Sequence, residues 1–294
     1  MANYKNQHYI PRHYLFPWAI VPNPNKKSEN LPFILEKKTG KIKQTSTKNL
    51  FSESYFYKVE KLTKSDIEQL FNYFYNKISE INVDNTVEDQ LIKETINKGF
   101  FLCYTAANRP DFNIFIEQYF WPHIESYYKE IDYIINNYKL SDDRNQELIG
   151  DLKRYVVFLR MRTLSFRSNL EQQYRQYFKT ENWNKYFPYL LVIDSFLNLA
   201  LLEYNFKLHI IKTSTSLITS DNPVIWDPMY IILPISPNCY LKLVNEHNNK
   251  NIRISGLKLN ELQYKQANKY LIAAREDDFS INLELEIRRI LYTR

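Results

Sequence analysis

Glycine is scarce. Gly40, Gly99, Gly150 and Gly256 are the only four in 294 residues, and they stand far apart. A P-loop or a dinucleotide-binding turn gathers two or three glycines within about six residues. ATP-hydrolysing motors and Rossmann oxidoreductases are therefore not expected, and neither is a nucleotide cofactor. Cysteine is rarer still: Cys103 and Cys239 make neither a disulfide framework nor a zinc site, and they read as small buried hydrophobes. The histidines, His8, His13, His123, His209 and His247, show no HExxH or comparable ligand spacing, which argues against a zinc enzyme. Long apolar runs are missing as well. The opening MANYKNQHYIPRHY has no signal-peptide core, and no uninterrupted apolar stretch reaches the roughly 18 residues of a membrane span. A cytoplasmic protein with no membrane partner is the expectation.

What the chain has in excess is aromatic: 24 Tyr, 18 Phe and 4 Trp make 16% of it. A hydrophobic fraction of 44% with 24% charged residues fits a folded body rather than a disordered chain. The length is enough to bury a core without disulfides or a structural metal. The net charge of +6 and pI near 8.9 favour an acidic partner, RNA or DNA. That signal is diluted by 33 acidic residues spread among 39 basic ones, and an AT-rich genome would by itself enrich Lys and Tyr.

One domain, 1–294, is expected, mainly α with a small antiparallel β-sheet. Residues 1–60 read as an irregular arm, because Pro11, Pro17, Pro22, Pro24 and Pro32 forbid a long helix. Within it EKKTGKIKQTSTK suggests a hairpin or loop around Gly40, and Tyr9, Ile10, Tyr14, Leu15, Phe16 and Trp18 are too apolar to stay solvated. A helical body follows over 63–205. Thr63 or Ser65 caps DIEQLFNYFYNKISEI, where Ile67, Leu70, Phe71, Phe74 and Ile78 make one stripe. Further helical patterns run over 86–105, 111–138, 142–180 and 185–205. Strand-length runs such as FKLHIIKT, IILPIS and YLKLV place a β-rich insert at 206–255. C-terminal helices are expected over 256–294, at about 258–275 and 280–291.

Three motifs could carry chemistry. In Gln7-His8-Tyr9-Ile10-Pro11-Arg12-His13-Tyr14-Leu15, an extended backbone puts His8 and Arg12 on one face. His8, titrating near working pH, could exchange protons beside Arg12; the bland alternative is that His8 and Gln7 anchor the arm. In FLRMRTLSFR, Arg160 and Arg167 point the same way on a continuous helix at about 100° per residue, with Arg162 on the other side. An arginine fork suits phosphate, and the alternative is pairing with Asp194, Glu203 or Asp221 inside the core. Thr219-Ser220-Asp221-Asn222-Pro223 reads as a strand-to-turn junction, which either only makes the turn or presents Ser220 and Asp221 at a strand end.

The order QHYIPRHYL, RTLSFR, LITSDNPV resembles domain-of-unknown-function family 4238, over roughly residues 7–245. The family pattern places an acid followed by an aromatic pair after the arm, and Glu53, Phe56 and Tyr57 in FSESYFY are similar. Members commonly carry Arg-Thr-Pro in the central helix, where this chain has Arg162-Thr163-Leu164. The resemblance implies a grouping with bacterial accessory proteins of mobile and defence loci, and no established activity.

Two functional expectations result. In the first, His8, Glu53 and Asp221 are catalytic while Gln7, Arg12, Arg162, Arg167, Ser220 and Asn222 bind substrate. The protein is then a nuclease-like toxin or antiviral defence enzyme cleaving phosphodiesters, with a divalent cation such as Mg²⁺ as the cofactor considered. In the second it is a non-catalytic module binding nucleic acid or protein, with aromatics as stacking platforms and the polar motifs structural. A serine hydrolase is poorly supported, since Ser220 lacks a glycine-flanked elbow.

Overall fold

The computed structural model describes residues 6–26, 29–54, 62–80, 90, 93–94, 97–98, 101, 104–105, 126, 144–175, 183–245 and 253–280. The expected helices over 111–138 and 280–291, but for residues 126 and 280, and most of that over 86–105, lie outside the described residues.

The N-terminal part runs β1 (Asn6–His8), the one-turn α1 (Arg12–Leu15), β2 (Val21–Pro22), β3 (Asn30–Leu31), β4 (Phe33–Glu36), β5 (Lys41–Gln44) and β6 (Ser52–Ser54). Helices follow: α2 (Lys64–Glu80), α3 (Arg144–Met161), α4 (Leu164–Tyr174) and α5 (Trp183–Asn205). The C-terminal part runs β7 (Phe206–Lys212), β8 (Thr219–Ser220), β9 (Ile225–Trp226), β10 (Tyr230–Ser236), β11 (Cys239–Asn245), α6 (Gly256–Gln266) and β12 (Tyr270–Ala273).

The strands assemble into two four-stranded antiparallel sheets and two small ribbons, which corrects the expectation of a mainly α body with one small sheet at 206–255. The first sheet, ordered β7-β11-β10-β9, does lie inside the expected segment. The second, ordered β5-β4-β12-β8, does not: it joins the N-terminal arm to strands more than 150 residues away. Leu271 pairs with Leu35 on one side and Ser220 on the other, so β12 is an inner strand. The arm is therefore a source of sheet, and its Gly40, with φ +67, turns the β4–β5 hairpin as its residue type suggests.

The expected helix over 258–275 stops at Gln266, and Tyr270–Ala273 becomes a strand. Asp221 explains the change. Its carboxylate accepts from the backbone amides of Asn268 (2.9 Å), Lys269 (2.8 Å) and Tyr270 (3.2 Å). Amides so engaged cannot continue a helical ladder. Lys37, just after β4, closes the same helix end by donating from Nζ to the carbonyls of Tyr264 and Ala267, both at 2.7 Å.

The expected helix over 142–180 is broken between Met161 and Leu164. Thr163 turns extended, and its buried hydroxyl accepts from the Phe166 amide at 3.2 Å, capping α4. Leu164 then occupies the first helical position, where a proline would be tolerated. The helix α2 begins where expected: Thr63 Oγ1 accepts from the Asp66 amide, and Asp66 Oδ2 accepts from the Thr63 amide. Lys185 and Tyr186 of α5 also donate to Asp66, which docks α2 on α5.

The main core takes in the arm. Ile10, Tyr14, Leu15 and Trp18 are fully buried in one core with Tyr155 and Leu159 of α3 and Leu233 and Leu241 of the first sheet, whereas Phe16, expected to be buried with them, is exposed. Each such side chain contributes about 1.5–3 kcal/mol by burial. Their polar atoms fix the register of the arm: Tyr14 Oη donates to the Pro234 carbonyl (2.7 Å) and contacts Thr219 Oγ1 (2.7 Å), and Trp18 Nε1 donates to the Leu217 carbonyl (3.2 Å). Tyr14→Phe is expected to cost about 1–3 kcal/mol by stranding the buried Pro234 carbonyl and the buried Thr219 hydroxyl. Urea unfolding of the two proteins measures it, and an unchanged midpoint would show that the arm is held by apolar packing alone.

Candidate functional site: a cationic pocket at the base of the arm

The turn motif Thr219–Pro223 is wired into α6. Ser220 Oγ donates to Gln263 Oε1 at 2.8 Å and accepts from the Asn222 amide, while Gln263 Nε2 donates to the Pro223 carbonyl. Asn222 Nδ2 donates to the Gln266 carbonyl, and Gln266 Nε2 donates back to the Asn222 carbonyl. Asp221 is 1% exposed. Burial raises its pKa above the ordinary carboxylate value, against the pull of the three amides and Lys37. These groups hold the joint between β8, α6 and β12.

The arginines separate. Because α3 ends at Met161, the continuous-helix geometry does not apply to all three. Arg162, buried, donates from Nη2 to the His8 carbonyl and so ties the central elbow to the arm. Arg160 lies over the Trp226 ring at 3.8 Å from its centroid, and Arg167 over the Phe187 ring at 4.6 Å. Burial lowers the Arg160 pKa to about 10, against the field of Asp194.

Part of the expected constellation does gather around Tyr9. Burial raises the pKa of its phenol, with further contributions from the nearby charges of Asp221 and Glu53 and from Tyr270. Gln7 pairs with Glu53 across the β1–β6 ribbon; Glu53 is exposed, and the side chain of Gln7 lies outside the described residues. Phe56 and Tyr57 lie outside them too. Phe51, whose carbonyl accepts from the Tyr9 amide at 2.8 Å, holds a left-handed φ of 54 and packs its ring against Tyr9 and Tyr270. A non-glycine residue there costs about 1–2 kcal/mol, which the two ring contacts offset. His13 packs beside Tyr155, and Cys239 is buried as expected, its thiol pushed up to about 11 by burial. Among the described residues no group of three or more His, Cys, Asp and Glu is placed to hold a metal ion.

A different cluster presents itself to solvent. A half-open pocket of about 300 Å³ is lined by Arg12, Phe16, Lys26, Glu29, Thr47 and Lys48, with Ala19 and Asn30 completing its wall. Three local structures set it up. The helix α1 projects Arg12. The β2–β3 turn, closed by the Asn23 amide on the Glu29 carbonyl (2.8 Å) and the Lys26 amide on the Asn23 carbonyl (3.1 Å), brings Lys26 round. A single 3₁₀ turn, Thr47–Asn49, capped by Ser46, carries Lys48. His8 pins that turn from behind: its Nε2 lies 3.1 Å from the Lys48 carbonyl, which can only accept, so Nε2 carries the hydrogen.

The electrostatics of this pocket are unbalanced. Glu29 is the one acid among its described lining residues, and its carboxylate is already engaged by Ser46 and by Asn23 Nδ2 at 3.3 Å. Contact with Lys26 and the charge of Arg12 lower the Lys48 pKa, with Glu29 opposing. Arg12 Nε is buried without a hydrogen-bond partner among the described residues. Of these residues the sequence singles out only Arg12 as a binder; Lys48 ends the lysine-rich patch, but nothing in the sequence places it or Lys26 beside Arg12.

The described residues define an α+β protein with two four-stranded sheets and a cationic pocket. The chain belongs to the family described as protein of unknown function DUF4238, whose model matches residues 6–277. Neither the curated proteins nor the solved structures contain a significant match. No helix among the described residues is long and apolar enough to cross a membrane.

Asp221→Asn replaces one acceptor oxygen with a donor facing donors. It is expected to cost about 1–3 kcal/mol and to speed amide exchange at residues 268–270. Wild-type stability and exchange in the variant would mean that the carboxylate does not hold the α6–β12 joint.

Proposed function

We propose that this protein is a nucleic-acid-binding module that takes phosphate at the Arg12–Lys26–Lys48 pocket, with its other polar motifs serving the fold. The observation that carries this reading is the convergence of three cations on one half-open pocket whose only acid among the described lining residues is already bonded. Like charges held together without a counter-ion repel one another, and an incoming phosphate removes that cost while Arg12 offers its guanidinium as a fork. Phe16, 53% exposed at the same rim, adds a flat apolar face of the kind on which bases stack. Phosphodiester cleavage is less well supported. Asp221, its expected acid, has both carboxylate oxygens bonded to backbone amides, and Ser220 is bonded to Gln263.

The test is fluorescence anisotropy of the full chain with single-stranded RNA and DNA of about 8–16 nucleotides. Affinity should fall as salt rises from about 50 to 200 mM, and Arg12→Ala or Lys48→Ala should each weaken binding and reduce the salt slope by about 1. Lys41→Ala, at an exposed lysine that does not line the pocket, should change neither. Binding that persists unchanged in the Arg12 and Lys48 variants would move the interface away from this pocket.

A further inference from the structure

The shape and charge of the pocket say more than that it binds phosphate. Resting on the nucleic-acid reading, we infer that it receives a terminal phosphate monoester, the phosphorylated end of a strand or a mononucleotide, rather than a phosphodiester within a strand.

Charge is the first argument. Arg12, Lys26 and Lys48 face Glu29 alone, so the described lining carries two positive charges in excess. A phosphodiester brings one negative charge, whereas a monoester brings about 1.5 to 2 at pH 7, which matches the excess. Geometry is the second. The cations come from three separate elements and surround one cavity of about 300 Å³, at the lower limit of small-ligand sites. A protein that follows a strand past its surface spaces its cations along a groove; a single cavity with converging cations suits a group that enters by its end. Donor inventory is the third. A monoester has three peripheral oxygens to satisfy, against two non-bridging oxygens in a diester. The pocket supplies a guanidinium whose buried Nε has no partner among the described residues, together with two ammonium groups. Phe16 at the mouth then meets the base next to that phosphate. Glu29, fixed by Ser46 and Asn23, holds the β2–β3 turn against the repulsion between Lys26 and Lys48 until the ligand arrives.

The experiment uses the full chain and 3′-labelled single-stranded RNA of one sequence carrying either a 5′-monophosphate or a 5′-hydroxyl, with a 3′-phosphorylated, 5′-labelled strand as a third probe. A phosphorylated end should bind about tenfold tighter or more than the hydroxyl end, as expected for one added charge-assisted contact. Arg12→Ala should abolish the difference. Because Arg12 is partly buried, the double variant Lys26→Ala/Lys48→Ala, at two exposed side chains, provides a second test that leaves the core untouched. Phe16→Ala should weaken the phosphorylated strand while leaving competition by inorganic phosphate unchanged. Equal affinity for phosphorylated and hydroxyl ends, with both reduced in the double variant, would overturn the terminal assignment and leave the nucleic-acid reading standing. No binding to any strand, with wild-type folding, would overturn both. Inorganic phosphate competing with the phosphorylated strand as well as the matching mononucleotide does would overturn the part played by the base.

Discussion

One buried carboxylate decides how the two ends of this chain meet. Asp221 stops α6, starts β12 and thereby sets an inner strand between β8 and β4. Without that strand the β4–β5 hairpin has no sheet to join. Lys37, beside the hairpin turn, secures the same joint from the other side by capping the last carbonyls of α6. Burying a carboxylate is expensive, and it is tolerated where several donors converge on it. Three consecutive amides meet that condition, at the expense of leaving both carboxylate oxygens committed.

The arm depends on this frame. Tyr14 and Trp18 reach into the space between the sheets and bond to Pro234 and Leu217, and Arg162 donates to the carbonyl of His8. The backbone is thus pinned at His8 before α1, and the side chains of Tyr14 within α1 and Trp18 after it pin it again, with Arg12 in between. Tight anchoring of the segment just before and just after Arg12 is what allows its guanidinium to be held beside two lysines despite their repulsion. The three sequence motifs therefore act together to fix the position of the arm, and the pocket forms at the arm's outer side.

Much of this organisation was legible in the residues, and the failures have identifiable causes. The capping signal at Thr63, the burial of Tyr9, Ile10, Tyr14, Leu15 and Trp18, the turn at Gly40 and the strands of 206–245 follow from local chemistry, and local chemistry decided them; Phe16, expected inside with its neighbours, is 53% exposed. The second sheet was not legible because only its Gly40 hairpin announces itself, and nothing local shows what that hairpin pairs with. The strand β8 has two residues, β4 follows a proline, and Tyr270–Ala273 continues a helical pattern that only a carboxylate some 47 positions earlier interrupts. The break at Thr163 was hidden in the same way: a threonine inside an apolar run reads as helix until its hydroxyl caps the next one. For the site, Arg12 stood out by its neighbours in the chain. Lys26 and Lys48 did not, because solvated lysines and converging lysines look alike in sequence.

On the proposed reading, function resides on the outer face of the arm while the polar motifs work inside the fold. Hydrogen–deuterium exchange of the full chain with and without a 5′-phosphorylated single strand tests it most directly. New protection is expected in peptides covering residues 12–19 and 44–48, and none in those covering 219–222 and 268–270. Protection confined to 219–222, with the arm unchanged, would contradict it and return the function to the Asp221 turn.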